Sequence, residues 1–113
     1  MLKLYGIKNC DTVRRARKWL DQNDYDYSFH DFRKDGLDAD LVERLSAEIG
    51  WEKMLNRRST SWRQLADADR EKLDESRAVQ LMLKHPTLIK RPVIEHGSRF
   101  TVGFSPDFFQ GPS

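Results

Sequence analysis

Apolar residues fall into short stretches whose spacing changes along the chain. Over residues 3–7 they run almost unbroken, as in a short, mostly buried strand closed by Gly6 and a polar turn. From residue 11 to about 23 the spacing becomes helical. Val13, Ala16 and Leu20 fall at i, i+3 and i+7 with Trp19 beside them, while Arg14, Arg15, Arg17 and Lys18 occupy the other face. The polar run 21–24 stops that pattern. Tyr25, Tyr27 and Phe29 then alternate with polar residues, which predicts a second strand over 24–32. Strand, helix and strand in this order form a βαβ unit, so the two strands should be parallel with a right-handed crossover.

Lys34, Asp35 and Gly36 predict a turn. Asp38 suits an N-cap for a helix with Leu41, Val42, Leu45 and Ile49 on one face, and Gly50 suits its end. Residues 51–60 show no clean period. Trp62 and Leu65 are expected to return to the core, followed by a charged, weakly helical stretch over 66–74. A clearer helix over 76–84 places Val79, Met82 and Leu83 on one face, and His85-Pro86 ends it. Residues 87–92 read as an extended link, and 93–95 and 99–103 as a hairpin turning at 96–98. Ser105 with Pro106 behind it opens a short last helix through Phe108 and Phe109. The predicted order is β-α-β, a helical block, then β-β-α, with no repeat, low-complexity tract or linker.

A chain of 113 residues fits one α/β domain, 1–113. With 34% charged and 38% apolar residues, and three Trp, three Tyr and six Phe, it can build a core under a charge-rich surface. The net charge of +2 creates no strong field, so the basic face of the first helix reads as solvated and no nucleic-acid partner is expected. Trp19, Trp51 and Trp62 read as core or pocket wall rather than base-stacking platforms. No apolar run is long enough to span a bilayer, and the Met1 region lacks a signal-peptide hydrophobic segment, so no membrane association and no export are expected. A single cysteine excludes an internal disulfide and suits a reducing cytoplasm. His30, His85 and His96 show no metal-ligand spacing with it, so no metal is expected.

Cys10 is the candidate nucleophile. A lone cysteine is commonly an inert apolar residue, but Lys8, Asn9, Asp11 and Thr12 surround this one with polarity. It stands where a strand gives way to a helix, so free backbone N–H groups and the helix dipole favour its thiolate. Asp11 opposes that effect, and Lys8 and Arg14 offset Asp11. Val13 occupies the position three residues on, so there is no C-x-x-C pair, and a mixed disulfide on Cys10 needs an external thiol to resolve it.

Three stretches, in order, resemble the arsenate reductase/Spx (ArsC-like) family, and its YffB branch most closely. They are Gly6-Ile7-x-Asn9-Cys10-Asp11-Thr12-Val13 continuing to Trp19-Leu20, then Leu55-Asn56-Arg57-Arg58-Ser59 to Trp62, then His85-Pro86-Thr87-Leu88-Ile89-Lys90-Arg91-Pro92-Val93. The resemblance spans nearly the whole chain. It implies a thioredoxin-like fold with a helical insertion at about 37–85 between the βαβ and ββα halves. It also implies a cis peptide at Pro92 near the cysteine, and an Arg91 that faces the thiol. Oxyanion-reducing members use three arginines; here Asn56 stands at one of those places, with Arg57 adjacent, and Gly103 or Phe104 at another. The histidine that precedes the cysteine in the family is absent. Spx regulators, which bind RNA polymerase, usually carry the C-x-x-C switch that Val13 removes.

Together these readings predict a monomeric, monothiol, glutathione-dependent thiol–disulfide oxidoreductase with no permanently bound cofactor. Cys10 attacks. Lys8, Asn9, Thr12, Arg14, Arg57, Arg91 and Pro92 form the surroundings that hold glutathione or another small anionic or disulfide substrate. The competing expectations are a glutaredoxin-coupled arsenate reductase and a non-catalytic regulator of RNA polymerase.

Overall fold

The computed structural model describes residues 2–110; Met1 and residues 111–113 of the expected domain lie outside the described residues. In chain order the elements are β1 (Leu2–Gly6), α1 (Asp11–Gln22), β2 (Ser28–Asp31), α2 (Ala39–Ile49), α3 (Trp51–Met54), α4 (Thr60–Arg63), α5 (Asp67–Arg70), α6 (Glu75–Lys84), a 3₁₀ turn (Pro86–Leu88), β3 (Val93–His96), β4 (Arg99–Val102) and α7 (Asp107–Gln110). The backbone groups into two compact units. One holds the residues up to Asp35 and those from Arg91 onward, and the other holds Gly36–Lys90.

The first unit is a four-stranded sheet in the order β2-β1-β3-β4, with α1 packed on it. β1 runs parallel to β2, placing Leu4 opposite Phe29. It runs antiparallel to β3, placing Leu4 opposite Ile94. The period of two in β1 sends Leu2 and Leu4 to one face, where they meet Val13, Ala16 and Leu20, the stripe predicted for α1, together with Ile94. Gly6 sets how closely the helix approaches. A Cβ there would come within 2.8 Å of Val13 Cγ2, inside van der Waals contact. At the far end of α1, Trp19 stacks on Tyr25 and Phe109, which closes the core under α7.

β2 is shorter than the alternation predicted. Asp24 has φ of 60°, and the Tyr25 N–H bonds to the Leu20 carbonyl, so residues 23–25 finish the helix rather than begin the strand. The hairpin turns at Gly97-Ser98, with φ of 64° at Gly97.

In the second unit α2 begins as predicted, with the Asp38 carboxylate accepting the Leu41 N–H at 2.8 Å, and ends at Gly50, whose φ is 99°. α2 packs against α6. Asp74 caps α6 by accepting the Arg77 N–H, one residue earlier than the apolar period suggested. Several expectations are corrected. Ala78 joins Val79 and Met82 in the buried set of α6, while Leu83 is half-buried. Trp62 and Leu65 are also half-buried rather than core; Trp62 carries the Arg57 guanidinium over its ring at 5.8 Å. The supposed link 87–92 begins inside the 3₁₀ turn. Beyond it, Ile89 bridges Leu55, flanked by hydrogen bonds from Asn56 N–H to Leu88 O and from Lys90 N–H to Met54 O.

Candidate active site

The chain leaves β1 buried and reverses in one turn. The Cys10 N–H donates to the Ile7 carbonyl at 3.2 Å, so Lys8 and Asn9 form the exposed tip and Cys10 follows. Cys10 then occupies the N-cap of α1, with φ of −94° and ψ of 128°, and its carbonyl accepts the first helical hydrogen bond from Arg14 N–H. A side chain at an N-cap faces the free N–H groups of the first turn, where serine or aspartate would cap. Here a sulfur stands in that place.

Burial of the half-exposed thiol pushes its pKa up. The Val13 N–H, the Arg91 side chain and the Thr12 N–H act the other way as donors that favour the thiolate, and so does the Arg91 charge. Their sum holds Cys10 below the ordinary thiol value. Val13 and Thr12 contribute through backbone, so their side chains do not reveal the role. Arg91 lies two residues before β3, and the Arg91–Pro92 peptide is cis, as the resemblance implied. The buried Pro92 accepts the Gly103 N–H at its carbonyl at 2.8 Å.

The guanidinium is not fully used. Arg91 Nε and Nη1 are buried and have no hydrogen-bond partner among the described residues. Donors in that state cost roughly 1–3 kcal/mol each unless something accepts from them. An anion beside the thiol is the chemical complement of this arrangement.

The other expected residues are placed as follows. Lys8 and Asn9 are exposed on the tip, and Thr12 is half-buried in the first turn. Arg14 pairs with Asp11 at 3.2 Å and donates to the Asn9 carbonyl at 3.2 Å, so it braces the turn and draws off the Asp11 charge. Arg57 is exposed in the second unit, where it lies over Trp62. Among the described residues no three His, Cys, Asp or Glu side chains converge as a metal would need.

Alternation alone puts Asp31 in the second strand, and the structure gives it a larger part. It is 7% exposed, and its carboxylate accepts the N–H groups of Arg33 at 2.8 Å, Lys34 at 3.2 Å and Lys8 at 3.2 Å. Burial raises its pKa; these N–H donors and the Arg33 charge together lower it by more, so it stays below the usual carboxylate range. The signal in the sequence was an aspartate followed by Arg33-Lys34 and a Gly36 turn, the pattern of a carboxylate that accepts from N–H groups just after it. The long-range bond to Lys8 had no signal.

Residues 5–111 match the family model described as the ArsC family. A solved structure of a YFFB protein superposes with a TM-score of 0.91 at 47% identity, covering 97% of this chain and 96% of that one. An arsenate reductase (ArsC) related protein from Brucella melitensis superposes at 0.79 with 43% identity, covering 96% and 91%. Among curated proteins, an uncharacterized protein of Haemophilus influenzae is 40% identical over 110 residues, covering 97% of this chain and 96% of its own. The global transcriptional regulator Spx of Streptococcus mutans is 33% identical over 109 residues, covering 95% and 79%. With its three motifs, its sheet order and a thiol at the N-cap position of α1, the chain belongs to the ArsC family and has the thioredoxin-like fold of these relatives.

Proposed function

We propose that the protein is a monothiol oxidoreductase that reduces disulfides at the expense of glutathione. The observation that carries the reading is the pairing of a thiol whose pKa is lowered by its surroundings with a guanidinium that has buried donors to spare. The Cys10 thiolate attacks one sulfur of a disulfide R–S–S–R′, forming Cys10–S–S–R and expelling R′–S⁻, which takes a proton from water. One glutathione thiolate displaces R–S⁻ and leaves Cys10–S–SG. A second displaces Cys10 as thiolate and leaves oxidised glutathione. The net change reduces one disulfide and oxidises two glutathione thiols. Arg91 suits a glutathione carboxylate by its planar fork, and Lys8 and Arg14 add positive charge at the rim.

Mass spectrometry of the chain after exposure to oxidised glutathione tests this. The expected product is a mixed disulfide on Cys10 that free glutathione removes, absent in Cys10→Ser. A chain that stays unmodified at neutral pH contradicts the reading. Arsenate offered with glutathione and glutaredoxin is the second arm. The same Arg91 N–H groups would donate to that oxyanion, but Asn56, Gly103 and Phe104 supply no guanidinium at the places where, by the family resemblance, oxyanion reducers use one, so turnover is expected with disulfide and not with arsenate.

The likeness to Spx favours one other reading, a regulator that touches a partner through the exposed Arg14, Arg15 and Lys18 of α1. Under it, charge reversal at Arg14, Arg15 and Arg17 abolishes the cellular role while Cys10→Ser preserves it. The thiolate environment, which a purely structural surface does not need, supports the enzymatic reading instead.

A further inference from the structure

We propose that Asp31 is a positioning residue for the Cys10 thiol: its buried carboxylate clamps the turn that carries the cysteine onto the end of β2. The inference rests on Cys10 being the reacting thiol.

Turn 7–10 has few anchors. Lys8 and Asn9 are exposed, so their side chains bury nothing. The described bonds that hold the turn are Cys10 N–H to Ile7 O, Arg14 N–H to Cys10 O, the Arg14 guanidinium to Asn9 O, and Lys8 N–H to the Asp31 carboxylate. The first is internal to the turn, the second joins its end to α1, and the third comes from an exposed side chain. Of these, the bond to Asp31 ties the tip to β2 through a buried group. Asp31 is itself fixed on every side. Its N–H donates to Asp35 Oδ2 at 2.9 Å, its carbonyl accepts the Asp35 N–H at 2.7 Å, and Oδ1 takes the Arg33 and Lys34 N–H groups, leaving Oδ2 for Lys8. Phe32 N–H donates to Gly6 O at 2.8 Å, so the clamp continues the β1–β2 ladder past the last paired residue. A turn released from this clamp lets the cysteine swing from the Val13 and Thr12 N–H groups that stabilise its anion.

Arg33 meets the carboxylate with its charge and its N–H, Lys8 and Lys34 with their backbone N–H groups, and the Asp35 carboxylate accepts the Asp31 N–H. Positioning and charge therefore make opposite predictions. Neutralising Asp31 removes a negative charge from the neighbourhood of a thiolate, which alone would favour the anion. Breaking the clamp disfavours it.

Asp31→Asn keeps an oxygen for Arg33 and Lys34 and presents an NH₂ to Lys8, so it breaks the one bond selectively. The measurement is the rate of Cys10 alkylation by iodoacetamide against pH. The expected result is about fivefold slower reaction at neutral pH, with the midpoint moved upward, a loss on the scale of one hydrogen bond. Asp35→Asn, which removes a charge from the same turn and keeps an acceptor, should leave the profile unchanged. Unchanged or faster alkylation in a folded Asp31→Asn protein overturns the proposal. Should that variant not fold, amide hydrogen exchange at Lys8 in the wild-type chain decides. Protection despite an exposed side chain is expected, and exchange at the rate of an unstructured peptide overturns it. An ordinary wild-type alkylation profile would sink the reading of Cys10, while the Lys8 measurement judges the clamp alone.

Discussion

Residue 91 carries more hydrogen-bond donors than its described surroundings accept. Removing such a group should cost reactivity and not stability. Arg91→Met, of similar length and without polar atoms, is expected to slow Cys10 alkylation at pH 7 by about tenfold, the scale of a charge-assisted hydrogen bond. Its thermal midpoint should be unchanged or higher, as follows from relieving buried, unpaired donors. A variant that unfolds earlier than wild type would show that Arg91 is structural cement. Asp31 behaves differently, because its donors are matched. A carboxylate with a depressed pKa adds stability that is present above the unfolded-state value and disappears as pH falls through the folded one. Urea unfolding of the wild-type chain should therefore weaken on acidification through the carboxylate range, and Asp31→Asn should flatten part of that slope. Cys10 and Arg91 were legible in the sequence because their neighbours form motifs. Asp31 was not, because the bond that matters joins it to a backbone group 23 positions away.

The start of α1 is where several elements must agree. Its stripe of Val13, Ala16 and Leu20 could be read from spacing, and all three are fully buried. How closely it meets β1 could not, since that depends on Gly6 lacking a Cβ at one contact of 2.8 Å. Gly6→Ala is expected to destabilise the fold by about 1–3 kcal/mol through overpacking. It should also slow alkylation, because Val13 supplies both the clashing methyl and an N–H to the sulfur. The cap of α2 offers a contrast. Asp38→Ala should lower stability by about 1 kcal/mol and leave the alkylation profile of Cys10 unchanged. Parallel slowing in both variants would mean that thiol reactivity follows global stability and not the geometry of the α1 start. Element ends were the hardest to place. The capping chemistry of Asp74 and the left-handed Asp24 decided α6 and β2 against the apolar period.

For the molecule as a whole, the order β-α-β, helical block, β-β-α was legible because apolar spacing switches between two and 3.6 at each boundary. The block itself was not. Among residues 51–70 short helical turns are held by backbone bonds and by caps such as Ser59 to Trp62, and these leave little periodic trace. The site was legible as a thiol at a strand-to-helix junction, with its arginine supplied by family resemblance. The surplus of donors on that arginine needed coordinates. The chemistry of the site therefore turns on the state of one sulfur. The rate of Cys10 alkylation in the unaltered chain, followed from acid to alkaline pH, measures that state directly. A midpoint clearly below that of cysteine in an unstructured peptide is the predicted result. A midpoint equal to or above it would contradict a thiolate stabilised by the helix start and Arg91.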